Sequence, residues 1–551
     1  MRSLVEWAGD EWGGKTAYSY RLSPFDADSV KISFRELRRD VRNLSSKLLS
    51  LGCAGHHCAV AGKMSYEWVL MYFSLLSIGA VMVPLDRDWK GEDLAKTCDT
   101  ADVSFLFCDE DIKDKAELIS STVSLLYPTV FMRASEKENN VTTLKALGEM
   151  EFCKNKNAYF DAPIDAYALS LLVFTSGTTG KGKGVMLSQD SILSDIADVL
   201  PYVDYGEKTV GVLPPHHTYG STILFAGHAM IGAEIYISSG IKYVTRELKS
   251  ESPEHLVLVP LYLETFYKKI WASVEEKGKM NSLKTLMRMS RTLGYVGIDA
   301  RRRMFASVNS AFGGKLKTVI SGGASIRSEI VEFFDAIGIA TLNGYGITEC
   351  APIVAVNRSR RRVEGSVGKV IDIDSVKINE PDDNGEGEIL VKGANVMLGY
   401  YKDEEATLEA FDEEGYFRTG DYGRLDADGV LYITGRKKNL IILANGKNVY
   451  PEEIESALSG TPGIVDIVVY EGQSRRGLEY NAIVAEIYPD LEYFKGREIS
   501  DIKEYFKKAV AEYNKTAVPY KKIGQVKVRL EEFPKNTLRK IMRFKLDMTI
   551  D

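Results

Sequence analysis

One glycine-rich segment constrains this chain more than any other part of its sequence. Residues 175–184 read TSGTTGKGKG, so that glycines and hydroxyl side chains are interspersed with two lysines. Apolar runs lie on both sides, at residues 169–174 and 185–187. Glycine lets backbone N–H groups approach a ligand closely, hydroxyls donate hydrogen bonds, and lysine neutralises negative charge. The sequence therefore predicts a strand, a polyphosphate-binding loop and a second strand.

Two other interpretations of this segment are open. Residues 177–183 match all but the last position of G-x-x-x-x-G-K-[ST], the P-loop of many NTPases. The last position would supply a hydroxyl to Mg²⁺, but here it is Gly184, and a strand is predicted where the P-loop begins a helix. The second alternative is a flexible turn of glycine and threonine, which would not need two lysines. Both alternatives fit less well than a phosphate-binding loop between two strands.

The segment resembles the signature of the adenylate-forming superfamily, which includes acyl-CoA synthetases, luciferases and the adenylation domains of peptide synthetases. The family pattern is [ST]-S-G-[ST]-T-G-x-P-K-G, and this chain departs from it at Gly182, where proline is usual. Glycine lacks the fixed φ of proline, so we expect a more mobile loop. The resemblance implies a catalytic role for Thr175. The loop residues that it assigns to ATP are Ser176, Gly177, Thr178, Thr179, Gly180 and Lys183.

A second family motif, NGYGITE, spans residues 343–349 after a predicted strand. The flat face of Tyr345 suits stacking on adenine, and Glu349 offers the oxygen ligand that Mg²⁺ prefers. Taken alone, the same residues would also fit a tight turn with an ordinary surface glutamate. The resemblance makes Glu349 both a catalytic residue and the metal ligand. The other nucleotide-binding residues that it implies here are Gly323, Ala324, Tyr345, Gly346 and Thr348.

Two further motifs follow at the spacing usual in the family. Residues 416–421 read YFRTGD, and Asp421 is suited to accept hydrogen bonds from both ribose hydroxyls. Residues 435–439 read GRKKN, in which the resemblance assigns Arg436 to the ribose or phosphate and Lys438 to a hinge. Without the resemblance, these residues would be a turn aspartate and a basic solvated loop.

The last motif places a lysine near the C-terminus. Residues 534–543 read PKNTLRKIMR and resemble the family pattern P-K-T-x-x-G-K-[IV]-x-R, with departures that include Arg539 in place of glycine. Lys540 matches the catalytic lysine, although a lysine in a charged tail is usually just solvated, so the assignment depends on motif order and spacing. In the family, the C-terminal domain rotates between two half-reactions. Lys540 would then leave, and Gly446 would enter to give access to the thiol.

Residues 213–220, LPPHHTYG, resemble the family segment L-P-x-x-H-x-x-G at the acid pocket. Relatives that activate amino acids carry an aspartate where His217 stands, to hold the α-ammonium group, so we expect a different acid. The resemblance places His217, Tyr219 and Gly344 in the substrate pocket; for His217, a buried hydrogen-bonded histidine is the alternative. Residues 392–401 and 438–455 look most like bacterial long-chain fatty acyl-CoA synthetases.

The resemblance implies an enzyme that joins a carboxylic acid, expected to be a medium- or long-chain fatty acid, to a thiol. The acid would react with ATP in the presence of Mg²⁺ to give an acyl adenylate, and coenzyme A would then accept the acyl group. Two alternatives stay open. One is a ligase that loads an acyl carrier protein, and the other is a protein that binds nucleotide or acyl adenylate without turnover. The intact Lys540 and Glu349 argue against the second.

Composition excludes other classes of protein. The net charge of −7 argues against a general nucleic-acid binder. The six cysteines have no metal-ligand spacing, which favours free thiols and a cytoplasmic protein. Residues 68–85 carry no charge, but interruptions such as Gly79 predict a buried helix and a short strand rather than a membrane span. The first twelve residues lack the apolar core of a signal peptide.

Helices and strands alternate up to about residue 370, which is typical of α/β folds with parallel sheets covered on both faces. Turns of the type DDNG and DADG then predict a β-rich subdomain over residues 370–437. We expect a large N-terminal domain of layered α/β sheets at 1–437 and a small mobile α+β C-terminal domain at 438–551. Residues 133–165 are the candidate for a long loop. The basic runs at 301–303 and 358–362 are expected to be solvated, or to dock the 3′-phosphate of coenzyme A or an acidic carrier protein.

Overall fold

The computed structural model describes residues 1–133, 139–175, 182–295, 298–359, 361–443, 448–474, 482–535 and 540–550. The chain divides into two compact units. The first consists of Met1–Ser375 and Val391–Phe417, and the second of Val376–Leu390 and Arg418–Asp551. The expected boundary at residues 437/438 is the point about which a domain would rotate. A division of the chain by compactness does not test it, so it stays a prediction.

The strands, numbered in chain order, are β1 Thr16–Tyr20, β2 Val30–Ser33, β3 His57–Ala61, β4 Val81–Leu85, β5 Val103–Cys108, β6 Val130–Phe131, β7 Leu169–Thr175, β8 Lys183–Ser188, β9 Lys208–Gly211, β10 Glu234–Ile237, β11 His255–Leu258, β12 Thr318–Ser321, β13 Ala340–Gly346, β14 Ile353–Val356, β15 Gly368–Val370, β16 Asp374–Asn379, β17 Gly387–Gly393, β18 Gly399–Tyr400, β19 Phe417–Leu425, β20 Val430–Arg436, β21 Ile441–Ile442, β22 Asn448–Val449, β23 Ile464–Ser474, β24 Ala482–Pro489, β25 Gln525–Val528 and β26 Thr549–Ile550.

The α-helices are α1 Arg2–Glu11, α2 Phe34–Ser50, α3 Tyr66–Leu76, α4 Gly91–Thr100, α5 Lys113–Thr122, α6 Val141–Lys154, α7 Lys156–Phe160, α8 Gln189–Val199, α9 Thr218–Gly220, α10 His228–Ile231, α11 Val244–Glu251, α12 Pro260–Glu276, α13 Met280–Tyr295, α14 Arg301–Met304, α15 Ala306–Asn309, α16 Ser328–Ala336, α17 Glu404–Ala410, α18 Pro451–Leu458 and α19 Ile499–Thr516.

Local sequence explains where several of these helices begin. Ser33 and Glu36 form a reciprocal capping box at the start of α2, which satisfies two backbone N–H groups that the first turn leaves unpaired. Pro260 and Pro451 occupy the first turns of α12 and α18, where a missing N–H group costs no helical hydrogen bond. Helix α18 spans the residues that the sequence predicts, because its start signal is local.

In the first unit, the strands form layered sheets of the predicted α/β type. One sheet has the order β18-β8-β7-β4-β3-β5-β6, and a second has the order β2-β1-β10-β9. Strands β3, β4 and β5 are parallel, and so are β11, β12 and β13, which continue into antiparallel β14 and β15. The buried apolar side chains of these strands and of the helices that cover them form the core of the unit.

The second unit is richer in antiparallel strands. It contains strands in the order β20-β19-β17-β16, where the sequence predicts a β-rich region, and a separate sheet in the order β25-β24-β23-β26. Helices α18 and α19 cover the second sheet, and their apolar residues share a core with β23 and β24. The fold class predicted from the sequence is confirmed.

The prediction of a long loop over residues 133–165 is wrong. This stretch contains α6 and α7, and Asn140 caps the first of them by accepting a hydrogen bond from the Thr143 backbone N–H group, at 2.9 Å. Helix α6 packs closely on α2. The closeness is evident at Gly148, where a Cβ atom would lie only 1.9 Å from the Asn43 carbonyl oxygen. Apolar and polar residues are mixed around α6, and only Val141, Leu144 and Gly148 are buried, so the sequence shows no clear contact stripe, and the packing partner is distant in sequence.

The uncharged residues 68–85 form the end of α3 and the whole of β4, as predicted. Every residue of α3 is buried, and β4 is buried throughout. Over the described part of the chain, none of the helices combines the length and apolar character needed to cross a lipid bilayer. The apolar run is therefore accounted for by burial on all sides.

A buried polar network ties distant parts of the first unit together. The Asn395 amide nitrogen lies within hydrogen-bond distance of the Ile353 carbonyl at 2.8 Å, Asp374 Oδ2 at 3.1 Å and Asp195 Oδ1 at 3.3 Å. Asn395 and Asp195 are fully buried. Burial raises the pKa of the Asp195 carboxyl well above its usual value and that of the Asp374 carboxyl to about 7. Protons are thus part of this network near neutral pH.

The network predicts that Asp374→Asn stabilises the protein more at pH 8 than at pH 5. The native carboxyl keeps its proton up to about pH 7, whereas the unfolded chain releases it near its ordinary pKa of 3.8. The native state therefore binds more protons in this window, and stability falls as pH rises through it, by at most ~1.4 kcal/mol per pH unit. Melting temperatures of both proteins at the two pH values measure the effect.

The expected result is a gain at both pH values that is larger by several degrees at pH 8 than at pH 5, since asparagine mimics the protonated acid and the unfolded wild-type chain is ionised at both. Asp114→Asn, which changes an exposed aspartate on α5, serves as the control and should shift neither value. Equal shifts for Asp374→Asn at both pH values would show that the buried proton is absent.

Candidate active site

The two ends of the glycine-rich loop are fixed by strand pairing. Thr175, the last residue of β7, is the direct partner of Lys183, the first residue of β8, in an antiparallel ladder. A Cβ atom at Gly182 would lie 2.8 Å from the Thr175 carbonyl oxygen, so the departure from the family proline occurs where the two strands approach closely. The predicted nucleotide-binding residues Ser176, Gly177, Thr178, Thr179 and Gly180 lie outside the described residues.

Glu349 lies beside this ladder in a short 3₁₀ turn, Thr348–Cys350, that follows β13. Its side-chain Oε1 accepts a hydrogen bond from the Tyr400 hydroxyl at 3.1 Å, and its backbone carbonyl accepts one from the Met397 N–H group at 2.8 Å. The Lys183 ammonium lies 4.6 Å from the centre of the Tyr400 ring. The predicted metal ligand and the loop lysine therefore meet at one tyrosine.

Sequence reasoning missed the role of Tyr400. The signal in the sequence is the resemblance of residues 392–401, KGANVMLGYY, to fatty acyl-CoA synthetases. Nothing in the segment itself indicates which of its two adjacent tyrosines contacts Glu349. That choice depends on the pairing of β18 with β8, in which Tyr400 lies opposite Val185.

The predicted adenine- and phosphate-binding residues lie at strand ends. Gly344 and Tyr345 pair with β14, and a Cβ atom at Gly346 would be 2.0 Å from the Pro352 carbonyl oxygen. Gly323 follows β12 with φ of +85°, which favours glycine, and it is exposed together with Ala324. These positions border the carboxyl ends of parallel strands, where α/β folds commonly bind their ligands.

Tyr219 connects the predicted acid pocket to the same strand ends. Its hydroxyl lies 3.1 Å from the Leu258 carbonyl oxygen and 3.3 Å from that of Ile320, at the ends of β11 and β12. Its ring lies 3.0 Å from the position that a Cβ atom would take at Gly322, so glycine there makes room for the tyrosine. Burial raises the pKa of Tyr219, which keeps the hydroxyl protonated as a donor.

His217 stands at the start of α9, where its carbonyl accepts hydrogen bonds from the backbone N–H groups of Gly220 and Ser221, both at 2.9 Å. Its ring lies 4.3 Å from that of His216. The His216 Nε2 atom is 3.7 Å from Asp86 Oδ2, and burial lowers the pKa of this histidine despite the nearby carboxylate. His217 is half-buried, with His216 beneath it as a mostly uncharged neighbour at neutral pH.

In the second unit, Asp421 and Arg436 are direct partners on β19 and β20. The Arg436 Nε atom lies 3.0 Å from Asp421 Oδ1, and the aspartate is almost completely buried whereas the arginine is about half exposed. The Thr419 hydroxyl accepts a hydrogen bond from the Asp421 N–H group at 3.0 Å. The predicted ribose-binding carboxylate is therefore held in place by a strand, a threonine and a cation.

The two predicted lysines lie in the electrostatic field of this pair. Desolvation, followed by the positive charge of Arg436, lowers the pKa of both Lys438 and Lys540 to about 8, while Asp421 acts in the opposite direction. Lys540 is nevertheless exposed at the surface of its unit. Three cations thus lie near Asp421, with Glu452 as a further carboxylate near Lys438, and an anionic ligand such as a phosphate would reduce the repulsion among the cations.

The described residues before and after Lys540 are anchored to the rest of their unit. Lys535 pairs with Asp466 at 2.7 Å and forms an isolated bridge with Ile541. Arg543 pairs with Glu455 of α18 and donates a hydrogen bond to the Val469 carbonyl at 2.8 Å. The final arginine of the C-terminal motif is thus a structural anchor. The thiol-access residue predicted at Gly446 and the departure at Arg539 lie outside the described residues.

Four arginines of the two basic runs make contacts within the chain. Arg302 donates hydrogen bonds to the backbone carbonyls of Gly314 and Leu316, and Arg301 pairs with Asp299. Arg362 pairs with Asp335, and Arg358 lies over the Tyr202 ring, 3.8 Å from its centre. These contacts occupy the arginines within the chain and do not favour the prediction that the runs dock a phosphate or a carrier protein.

The residues around Glu349 fit a magnesium ion that is shared with a nucleotide. Among the described residues, no group of three or more His, Cys, Asp or Glu side chains could hold a metal without help. Mg²⁺ commonly uses one or two carboxylates and completes its octahedron with water and substrate phosphates. The Glu349 carboxylate, which Tyr400 orients and which lies close to Lys183, could supply the protein ligand of such an ion.

Comparisons with known proteins identify the family of the chain. The family described as AMP-binding enzyme matches residues 5–401. The chain belongs to the AMP-binding enzymes. It is 30% identical over 459 residues to the long-chain-fatty-acid–CoA ligase FadD15 of Mycobacterium bovis, covering 80% of this chain and 75% of that protein. It is also 26% identical to the long-chain-fatty-acid–[acyl-carrier-protein] ligase AEE15 of Arabidopsis thaliana, covering 86% and 74% of the two chains.

A solved structure has the same fold. The O-succinylbenzoate coenzyme A synthetase MenE of Bacillus subtilis, in complex with ATP and a magnesium ion, matches with a TM-score of 0.71 at 20% identity. The match covers 98% of each chain. The membership in the adenylate-forming superfamily that the motifs predict is confirmed, while the roles of individual site residues stay predictions.

We expect Asp421→Ala to weaken ATP binding by about 1–3 kcal/mol, the scale of a hydrogen bond to a charged group. The variant removes the predicted ribose acceptor and also leaves Arg436 without its carboxylate partner. Isothermal titration calorimetry measures the affinity directly. Asp426→Ala, which removes a carboxylate from the turn after the same strand, is the control and should bind ATP normally. Unchanged affinity in Asp421→Ala would remove this residue from the nucleotide site.

Proposed function

We propose that this protein activates a medium- or long-chain fatty acid with ATP and transfers the acyl group to the thiol of coenzyme A. The observation that carries the proposal is the cluster of Arg436, Lys438 and Lys540 around Asp421, in a chain that belongs to the AMP-binding enzymes. Relatives named as long-chain-fatty-acid–CoA ligases support the choice of acid and acceptor.

In the first half-reaction, a carboxylate oxygen of the fatty acid attacks the α-phosphorus of ATP. The bond from that phosphorus to the bridging oxygen breaks, and pyrophosphate leaves. The protein's contribution is positional and electrostatic, because negative charge spreads over the phosphate oxygens in the transition state. Lys540 and Arg436 would neutralise this charge, and Lys183 with the loop donors would hold the departing phosphates.

In the second half-reaction, the thiol sulfur attacks the acyl carbonyl, the bond from the carbonyl carbon to the phosphate oxygen breaks, and AMP leaves. At this stage the acyl carbon is attacked and not the α-phosphorus, so the charge that Lys540 would stabilise during attack on phosphorus does not develop. Rotation of the C-terminal domain about Lys438 would remove Lys540 and bring Gly446 to the thiol path, a hinge motion between two catalytic states.

A magnesium ion would be held by Glu349, and when bound it would supply positive charge to the phosphates of ATP. Lys183 approaches from the adjacent strand, so the carboxylate and the ammonium would contact the metal and the phosphates from neighbouring positions. The neighbouring structure of MenE contains both ATP and magnesium, which supports the choice of ion.

A second acceptor is an acyl carrier protein, because one relative is named as a ligase for that acceptor. The two functions share the adenylation half-reaction and differ only in the carrier of the thiol. A cytoplasmic location is part of the proposal, and the six free cysteines support it because cytosolic thiols are kept reduced.

We expect medium- and long-chain fatty acids to support ATP–pyrophosphate exchange and free α-amino acids to give none. His217 occupies the position where amino-acid-activating relatives have an aspartate, so the pocket has no carboxylate there for an α-ammonium group. Octanoate, palmitate, leucine and phenylalanine would be compared at equal concentration. Exchange with either amino acid, combined with none for the fatty acids, would contradict the proposal.

A second experiment separates the half-reactions. Lys540→Ala should lower pyrophosphate exchange by a factor on the order of 10²–10³, the usual cost of losing one preorganised charged donor. It should still convert a supplied acyl adenylate and coenzyme A to the thioester, because the α-phosphorus is no longer attacked. Lys438→Pro should do the reverse, since proline fixes φ and restricts the hinge.

Lys545→Ala provides a matched control for Lys540→Ala, since Lys545 is an exposed lysine five residues further along the chain and has no assigned role in catalysis. Its effect should be similar on both half-reactions and small. If Lys540→Ala loses both activities equally while its melting temperature stays normal, the alternation of domains is wrong.

A further inference from the structure

A segment that follows β17 connects Glu349 to strand β8. Residues 395–401 are held along their backbone: the Met397 N–H group donates to the Glu349 carbonyl at 2.8 Å, the Leu398 N–H group to Met186 at 2.9 Å, and the Tyr401 N–H group to Gly184 at 2.8 Å. Main-chain bonds therefore fix this segment to the metal-site turn at one end and to the first residues of β8 at the other.

Tyr400 is the residue of this segment that reaches both charged groups. It is 9% exposed, and its backbone N–H group donates to the Thr407 hydroxyl at 2.9 Å, which fixes its main chain. Its hydroxyl donates to Glu349 Oε1 at 3.1 Å, and the Lys183 ammonium lies 4.6 Å from its ring centre. One side chain thus contacts an anion through its hydroxyl and a cation through its ring.

These two contacts have different physical origins and can be separated. The hydroxyl bond restricts rotation of the Glu349 carboxylate and so fixes the direction in which its oxygens point. The ring attracts the Lys183 ammonium through the electron-rich aromatic face. A tyrosine hydroxyl ordinarily loses its proton only at about pH 10, so it is a hydrogen-bond donor at neutral pH.

We propose that Tyr400 is a positioning residue that orients Glu349 toward a magnesium ion through its hydroxyl and aims Lys183 toward the nucleotide phosphates through its ring. This inference rests on the proposed function, because it takes the metal role of Glu349 and the phosphate role of Lys183 from it. It adds a residue outside the glycine-rich loop and outside the NGYGITE motif, and it links the two motifs physically.

The test uses Tyr400→Phe, which removes the hydroxyl and keeps the ring. Calorimetric titration of ATP at a series of magnesium concentrations should show that roughly tenfold more magnesium is needed for half-maximal enhancement of ATP binding, the equivalent of one hydrogen bond to a charged group. Binding of ATP in the presence of EDTA should stay unchanged, because Lys183 still lies against an aromatic face.

Tyr401→Phe is a closely matched control. Tyr401 is the next residue, and its hydroxyl also donates to a carboxylate, Asp102 Oδ2 at 2.6 Å, but this pair lies at an exposed position away from Glu349. The variant should need the same magnesium concentration as the unchanged protein. A general loosening of the segment would affect both variants, whereas the positioning role affects only Tyr400→Phe.

Tyr400→Leu and Glu349→Gln complete the experiment. The leucine variant loses the ring as well, and should weaken ATP binding in EDTA by several-fold beyond the effect of phenylalanine. Glu349→Gln should raise the magnesium requirement by itself, and adding Tyr400→Phe to it should have little further effect, because the hydroxyl acts through the carboxylate.

The outcomes distinguish a failure of the positioning role of Tyr400 from a failure of the metal role of Glu349. If Glu349→Gln raises the magnesium requirement but Tyr400→Phe behaves like Tyr401→Phe, the positioning role is wrong and the proposed function stands. If Glu349→Gln leaves the requirement unchanged, the metal role of Glu349 is wrong and the inference fails with it. Additive effects of Tyr400→Phe and Glu349→Gln would also overturn the inference. Melting temperatures of all variants check that each protein is folded.

Discussion

The main-chain ladder between β7 and β8 is the constraint on which the candidate site depends. It sets Thr175 opposite Lys183 and so fixes both ends of the glycine-rich loop. Because β18 adds to the free edge of β8, the same ladder determines where Tyr400 lies, and through it where the Glu349 carboxylate points. Backbone hydrogen bonds position these side chains, which explains how a loop rich in glycine can end at defined places.

A second layer of the site is polar and buried. Asn395 lies between two aspartates and the backbone of Ile353, at the start of the segment that carries Tyr400. Polar groups in such a position cost free energy to bury and return it only when they are hydrogen-bonded. Here the hydrogen bonds fix the position of the segment, because the amide can satisfy its partners in a single register. Apolar side chains would not enforce that register.

The second unit carries a cluster of charged side chains. Arg436, Lys438 and Lys540 lie near Asp421, and desolvation first and the crowding of positive charge second lower the pKa of both lysines. Without an anion, the cations repel one another. A phosphate that approaches them would relieve this repulsion and raise the pKa of both lysines. The anchors at Lys535 and Arg543 keep Lys540 near the cluster at the expense of its conformational freedom.

The sequence by itself determined the superfamily, the alternating α/β architecture and the order of the motifs, because glycine loops, apolar strand runs and helix starts such as Pro451 are local signals. It failed at α6, whose buried residues are recognised only against α2. Tertiary structure alone decided that Tyr400 meets Glu349, 51 residues away, and Lys183, and that Arg543 anchors α18. Such pairs depend on which strands become neighbours in a sheet, and that is a property of the whole packed chain rather than of any segment.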